Sequence, residues 1–181
     1  MNSSLEWKVA GAALVAALAL APLGCKRSEK VQVQETVEEG PRLVSSIAMG
    51  DPKLETQLVS GFYGIEGNAW RWTAKSFTAV LKTPFGGSQR GGTLELALTV
   101  PGVVIEKEKN VSLAASVDGK PLPPESYTQA GAFSFKRDIP AEWLKGESVK
   151  VEFQLDKAMP PSGADQRELG IIANALSLGT K

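Results

Sequence analysis

Apolar and polar residues alternate along much of the chain beyond residue 54. Leu94, Leu96 and Leu98 are each separated by one residue, and the same spacing recurs in later segments. Successive side chains of an extended strand point to opposite faces, so this period predicts strands with one buried face. Strands are predicted at 77–81, 93–100, 111–117, 133–135, 149–155 and 171–178.

Strands of this kind have to bury their apolar faces against a second sheet. No helical period of useful length competes, although a short helical turn is predicted at 140–144, where Pro140 suits a first turn. The sequence predicts an all-β fold, an antiparallel β-sandwich over 54–181. A jelly roll is favoured over an immunoglobulin-like fold because no Cys-Trp-Cys framework exists.

The N-terminal segment has a different pattern. An apolar run from Val9 to Leu23 follows Lys8. Its length of about 15 residues is short of a membrane-spanning helix and matches the apolar core of a secretory signal. Cleavage after Ala17-Leu18-Ala19 and an uncleaved anchor are the alternatives that this pattern leaves open.

Gly24-Cys25, at the end of the apolar run, resembles the lipobox of bacterial lipoproteins, in which the cysteine is acylated and becomes the new N-terminus. The resemblance implies a signal peptide at 1–24, a lipidated Cys25 and a membrane as partner. An incidental thiol is the alternative. The expected location is the bacterial cell envelope, in either the inner or the outer membrane.

Residues 25–53 are polar, rich in glutamate and without a sustained period. This composition predicts a flexible tether between the lipid and the sandwich.

The amino-acid composition excludes several kinds of partner and catalytic site. The 181 residues include 20 basic and 20 acidic side chains, so the formal net charge is zero and a nucleic-acid partner is not expected. There is no histidine, which excludes Ser-His-Asp catalysis and HExxH zinc sites. The single cysteine excludes an internal disulfide, and no cofactor or metal is expected.

Aromatic residues are densest in the segment 61–73. If the chain is extended there, Trp70 and Trp72 share one face and Arg71 takes the other. Indole rings stack on the apolar faces of sugars, and Tyr63, Glu66 or an arginine can supply polar contacts. The alternatives are that both tryptophans fill the core, or that one is buried and one lies at the rim.

A second charged segment, 165–170, precedes the last strand. Arg167 and Glu168 lie in it, and the predicted ion pairs are Arg71 with Glu168 or Glu66 with Arg167. A structural salt bridge that fixes the loop is the favoured interpretation, and a ligand-binding role is the alternative. The candidate ligand-binding residues are Tyr63, Glu66, Trp70, Arg71, Trp72, Arg167 and Glu168.

Two further segments are interpreted as connections. The glycine-rich stretch 86–92 lacks the Gly-Lys-Ser/Thr ending of a phosphate-binding loop and predicts a flexible hairpin connection. The alternating charges at 106–109 predict a solvated loop.

Gly-Phe-Tyr-Gly-x-Glu, Trp-Arg-Trp-Thr, the Val-Asp-Gly turn and Arg-Glu-Leu-Gly together resemble a group of bacterial envelope lipoproteins. They are also similar to the galactose-binding-like jelly-roll modules of some bacterial glycosyltransferases. This resemblance covers about 54–178 and implies a sandwich fold and a connection to glycans.

The leading functional hypothesis is a non-catalytic, membrane-anchored binding module that contacts envelope glycans. The alternative is a protein-interaction or assembly factor of the envelope. An enzyme would need a concave site with convergent carboxylates, such as Glu66 and Glu168.

Overall fold

The structure is a computed structural model that describes residues 42–181. The predicted signal peptide, Cys25 and the tether up to residue 41 lie outside the described residues. Within the described part, no helix has the length and apolar character needed to span a bilayer.

Residues 42–181 contain nine strands and little helix. A helical turn, α1 (Gly87–Arg90), and a short helix, α2 (Gly102–Glu108), lie between strands. Two 3-10 turns cover Pro52–Gln57 and Ala141–Trp143, and the second confirms the turn predicted there. The strands are β1 (Ser46–Ala48), β2 (Leu58–Glu66), β3 (Trp70–Lys82), β4 (Gly92–Val100), β5 (Val111–Val117), β6 (Lys120–Tyr127), β7 (Gly131–Ile139), β8 (Ser148–Leu155) and β9 (Ile172–Thr180).

All nine strands belong to one antiparallel sheet that folds over on itself. The order is β6-β5-β8-β3-β9-β4-β7, with β1 added to β9 and β2 to β3. The two ends of this order meet, because Arg137 on β7 donates to the carbonyl oxygens of Pro123 (2.7 Å) and Pro124 (3.1 Å) on β6. Phe135 on β7 and Phe153 on β8 have three strands between them in this order, and their rings lie 6.3 Å apart across the interior. The result is a nearly closed β-sandwich.

The predicted alternation accounts for the core. Leu94, Leu96 and Leu98 are fully buried, and Phe77 stacks on Phe153 with ring centroids 4.8 Å apart. Consecutive strands β3 and β4 are separated by β9, so their connection crosses between layers as in a jelly roll. The predicted fold class, an antiparallel jelly-roll-like β-sandwich, is confirmed.

The sandwich begins earlier than predicted. β1 pairs with β9, and Ile47 and Met49 on either side of Ala48 are fully buried. The prediction that the tether extends to residue 53 is therefore wrong for 46–53. The signal was missed because only two apolar residues, Ile47 and Met49, carry the alternation, which is too short a run to stand out from the polar residues before it.

Three other segments differ from or extend the predictions. β6 was not predicted because it contains Pro121, Pro123 and Pro124. The sheet tolerates these prolines because β6 lies at one end of the strand order. The solvated loop predicted at 106–109 is instead the end of α2 and its cap. The hairpin connection predicted at 86–92 is instead the crossing connection that contains α1.

Candidate functional site

The tight turn between β2 and β3 positions most of the predicted site. Glu66 pairs with Trp70 across the two strands, and Gly67 and Asn68 adopt positive φ angles of 57° and 55° between them. Consecutive residues in this conformation form the turn that fits the twist of a hairpin. A Cβ atom on Gly67 would lie 2.9 Å from the indole nitrogen of Trp70. The absence of a side chain at Gly67 therefore leaves room for the Trp70 ring beside the turn.

Trp70 and Trp72 lie on the same face of β3, as predicted. Their ring centroids are 6.4 Å apart at an interplanar angle of 78°, and both side chains are half-buried. Trp72 packs against the core, whereas Trp70 lies beside the hairpin turn. Neither tryptophan is a fully buried core residue.

Arg167 joins the loop before β9 to the hairpin. Its Nη1 donates to Glu66 Oε1 at 2.7 Å, and Nε and Nη2 donate to the two carboxylate oxygens of Asp165 at 3.0 and 2.8 Å. The guanidinium also lies over the Tyr63 ring, 5.3 Å from its centroid. The predicted Glu66–Arg167 pair is confirmed, and Asp165 is a member of the cluster that the sequence prediction did not include.

The bidentate contact changes the acidity of its partner. Side-chain and backbone hydrogen bonds from Arg167 lower the pKa of Asp165 from 3.8 to about 2. Hydrogen bonds to Asp165 and Glu66 raise the pKa of Arg167 in turn. Asp165 and Arg167 are therefore both charged at neutral pH. Their side chains are between 34% and 40% exposed, so the cluster is open to solvent.

Glu168 and Tyr63 fix the loop against the sheet. The Tyr63 hydroxyl donates to the Glu168 carbonyl oxygen at 2.9 Å. The Glu168 carboxylate accepts from the backbone N–H of Lys75 at 2.8 Å. These contacts hold Arg167 in place between Glu66 and Asp165.

Arg71 was predicted to belong to the site, but it is buried. It is 2% exposed, and its side chain lies on the face of β3 that also carries Phe77. Its Nε donates to Met49 O and its Nη1 to Tyr63 O, both at 3.0 Å, and Nη1 also lies 3.4 Å from Glu55. The predicted Arg71–Glu168 pair is wrong because the two side chains have different partners. Arg71 ties the segment after β1 to β2 and cannot contact a ligand.

The remaining residues define one surface, called here the Trp70 site: Tyr63, Glu66, Trp70, Trp72, Asp165, Arg167 and Glu168. A pocket of about 200 Å³ opens beside Asp165 and Arg167, with Val103 and Lys107 of α2 on its far wall. Among the described residues, no three acidic or cysteine side chains are grouped to hold a metal ion.

Sequence reasoning missed a larger groove at the opposite end of β3. It has a volume of about 810 Å³ and is lined by residues of the β3–β4 connection and of the segment before β8, including Lys82, Phe85, Arg90 and Lys145. Phe85 does not belong to an alternating run, so the sequence pattern carries no signal for it.

Comparisons with known proteins show a distant likeness of fold. A family 35 carbohydrate-binding module from an environmental isolate is 8% identical with a TM-score of 0.39, covering 68% of this chain and 82% of the module. A CBM4 structure is 13% identical with a TM-score of 0.36, covering 75% of this chain and 85% of that chain. The structure of CBM51-2 in complex with GlcNAc and INT domains from Clostridium perfringens ZmpB is 13% identical with a TM-score of 0.38, covering 76% of this chain and 28% of that chain.

No known family model matches the chain, and no curated protein sequence matches it. The identities and TM-scores of the solved structures do not place the chain in a family.

Proposed function

We propose that this protein is a non-catalytic glycan-binding module and that its binding surface is the Trp70 site. One observation carries the proposal: a half-buried indole at the hairpin turn lies directly beside the clamped, solvent-open Glu66–Arg167–Asp165 cluster.

The combination suits a sugar. The faces of Trp70 and Trp72 offer apolar surface to the C–H bonds of a pyranose ring. Carboxylate oxygens accept from sugar hydroxyls, and the N–H groups of Arg167 donate to them. Because Arg167 already fixes both carboxylates, little side-chain entropy is lost when a ligand binds.

Binding without catalysis fits the acidity of the cluster. A glycosidase needs a carboxylic acid that stays protonated near neutral pH, and therefore a raised pKa. The Arg167 contacts lower the pKa of Asp165 instead. We therefore propose that these groups bind and do not transfer protons.

A glycan array with the purified full chain tests binding, followed by titration of tryptophan fluorescence with the glycans that bind. The Trp70→Ala variant is expected to lose about fivefold or more in affinity, since one aromatic stacking contact is worth roughly 1 kcal/mol or more. Trp143→Ala is the matched control, because Trp143 lies in the 3-10 turn before β8, at the other end of the sandwich, and is expected to leave affinity unchanged. Absence of binding to every glycan on the array, or an equal loss of affinity in both variants, contradicts the proposal.

We further propose that the module is displayed from a bacterial envelope membrane by acylation of Cys25. The support is the sequence alone, namely the apolar run 9–23 and the Gly24-Cys25 that ends it. Mass spectrometry of the mature N-terminus is expected to give a diacylated or triacylated Cys25. An intact Met1, or an unmodified new N-terminus elsewhere, overturns this part of the proposal and leaves the glycan part standing.

A protein-interaction or assembly role remains the second hypothesis from the sequence. It predicts partner proteins that co-purify through detergent extraction. Their presence together with a silent glycan array is the result that favours it over glycan binding.

A further inference from the structure

Phe85 is the most exposed large apolar side chain among the described residues. It is 98% exposed, although burial of a phenylalanine is ordinarily favourable. Its exposure does not come from a loose loop: Thr180 Oγ1 donates to the Phe85 carbonyl oxygen at 2.7 Å, and Gly87 N donates to Pro84 O at 2.9 Å. The backbone on both sides is fixed, so the loop holds the ring out in solvent.

The groove beside this ring contains three cations. It is lined by Lys82, Arg90 and Lys145, with Glu147 as the carboxylate in the same lining. No ion pair within the described part of the chain involves these three cations. Of the other carboxylates at this end, Asp118 accepts from Lys150 N at 2.8 Å, Asp138 pairs with Lys181 at 2.8 Å, and Glu142 is exposed in the 3-10 turn beside α1. The groove therefore offers positive charge around an apolar tip.

The chain enters the sandwich at the same place. A concavity of about 350 Å³ shares Lys82 and Glu147 with the Phe85 groove, and Arg42 and Leu43 form the rest of its lining. Lys82 N donates to Val44 O at 3.0 Å, which fixes the entering segment to the end of β3. Leu43 is itself 39% exposed, so a second apolar side chain lies at this face.

We propose that this face, made of Leu43, Lys82, Phe85, Arg90 and Lys145, docks on an anionic lipid surface. Phe85 inserts among the headgroups, and the cations contact lipid phosphates. An amphipathic surface with an apolar tip and flanking lysine and arginine is the pattern that binds such interfaces.

The inference rests on the proposed acylation of Cys25, which supplies the proximity. From Cys25 to Arg42 there are 42 − 25 = 17 residue steps, which span at most roughly 60 Å when extended. A lipid at Cys25 thus confines the Phe85 face near the bilayer, and weak contacts that would fail in free solution become effective. An acidic glycan is a poorer match, because the groove contains one carboxylate as acceptor for sugar hydroxyls and its exposed aromatic ring is a phenylalanine.

Docking at this face also orients the Trp70 site. β3 runs for 13 residues from Trp70 to Lys82, a length of roughly 40 Å. The Phe85 face and the Trp70 site lie at its opposite ends. A module that rests on the lipid through Phe85 therefore presents the Trp70 site away from the membrane.

A single fluorescent label tests the contact. The chain has one cysteine, and acylation consumes its thiol, so Phe85→Cys in the lipidated full chain carries an environment-sensitive dye at one position. Gln129→Cys is the control, because it lies in the exposed β6–β7 loop at the end of β4 that is remote from Phe85. The proteins are reconstituted in vesicles of phosphatidylcholine alone or mixed with phosphatidylglycerol.

The dye at position 85 is expected to shift to the blue and to resist an aqueous quencher in the anionic vesicles, whereas the dye at position 129 stays accessible in both. Equal quenching at the two positions in anionic vesicles overturns the proposal. A shift that appears only on addition of a soluble acidic polysaccharide overturns it as well. Failure of acylation is recognised separately, because the protein then does not co-float with neutral vesicles.

Charge reversal tests the contribution of the cations. Combining Lys82→Glu, Arg90→Glu and Lys145→Glu with the label at position 85 is expected to abolish the spectral shift. The single reversal Lys145→Glu is compared with Lys107→Glu on α2, an exposed lysine at the opposite end. We expect the spectral shift to become severalfold weaker in Lys145→Glu and to stay unchanged in Lys107→Glu. Equal effects of the two reversals, with folding verified by circular dichroism, contradict docking through this face.

Discussion

Arg71 shows how a charged side chain is kept in the interior of a small sandwich. Its guanidinium donates to the backbone carbonyl oxygens of Met49 and Tyr63, and its acidic partner, Glu55, is itself largely exposed. A buried arginine of this kind is a positioning residue: it holds the segment after β1 against β2, and so supports the strand that carries Tyr63.

Replacement of Arg71 is expected to be costly. Arg71→Ala leaves a cavity and removes a donor from the Met49 and Tyr63 carbonyl oxygens, so we expect a loss of about 3 kcal/mol in the free energy of unfolding. Glu55→Gln is expected to cost below about 1 kcal/mol, because the ion pair is solvent-exposed on the glutamate side. Urea unfolding of both variants measures this, and similar losses would show that the carboxylate, rather than the carbonyls, holds Arg71.

The lowered pKa of Asp165 predicts a specific pH dependence. Between about pH 4 and pH 2 the folded protein binds fewer protons at Asp165 than the unfolded chain does, so stability rises with pH there. The contribution is fully present above that window and is lost as the pH falls through it. Asp165→Asn, and equally Arg167→Gln, is expected to flatten the profile of unfolding free energy in this window. A profile unchanged in both variants contradicts the contact.

At the scale of elements, β2 depends on a glycine. The register between β2 and β3 shifts around Gly61, whose φ is +74°. A Cβ atom there would overlap the Ser76 carbonyl oxygen and lie 2.7 Å from Phe77 Cα. The irregularity lets β2 follow the bent β3 and delivers Tyr63 to the Trp70 site.

Gly61→Ala is therefore expected to lower the unfolding free energy by at least about 2 kcal/mol, from the clash and the positive φ together. Gly64→Ala is the matched control in the same strand, since a Cβ atom there meets nothing within 4 Å. Thermal unfolding distinguishes the two. A Gly61→Ala variant as stable as Gly64→Ala would mean that the irregular pairing is not required.

Elements with strict alternation were predictable from the sequence, and the others were not. The strands around Leu94 and Val151 carry four apolar residues each at a spacing of two, which no helix shares. β1 has too few residues to show a period, and β6 has three prolines that ordinarily argue against a strand. Pairing with β9 and β5 respectively stabilises them, and such partners are invisible to a local pattern.

The candidate site followed the same division. Trp70, Trp72 and the Glu66–Arg167 pair were predictable because strand parity and charge complementarity are local or simple rules. The alternation along β3 also correctly predicted that Arg71 lies on the face opposite Trp70 and Trp72. That face is buried in the core, however, and only the curvature of the sheet reveals this. Phe85 has no periodic neighbours, so its exposure follows from the crossing connection and not from its sequence.

For the whole molecule, the long β3 strand separates two surfaces of different character. One end has the Trp70 site, with aromatic faces beside a clamped cluster of charges. The other end has the entering chain, an exposed Phe85 and three cations, Lys82, Arg90 and Lys145, that form no ion pair within residues 42–181. If both proposals hold, one end of the sandwich binds a glycan and the other end contacts a lipid surface.

The most direct test of the central claim is nuclear magnetic resonance of the full chain during titration with the array glycan that binds most tightly. The indole N–H signals of Trp70 and Trp72 and the side-chain Nε–H of Arg167 are predicted to shift together with one saturation curve, while the Trp143 indole stays in place. Absence of any binding glycan, or shifts confined to Trp143 and its surroundings, would contradict the assignment of the Trp70 site as the glycan-binding surface.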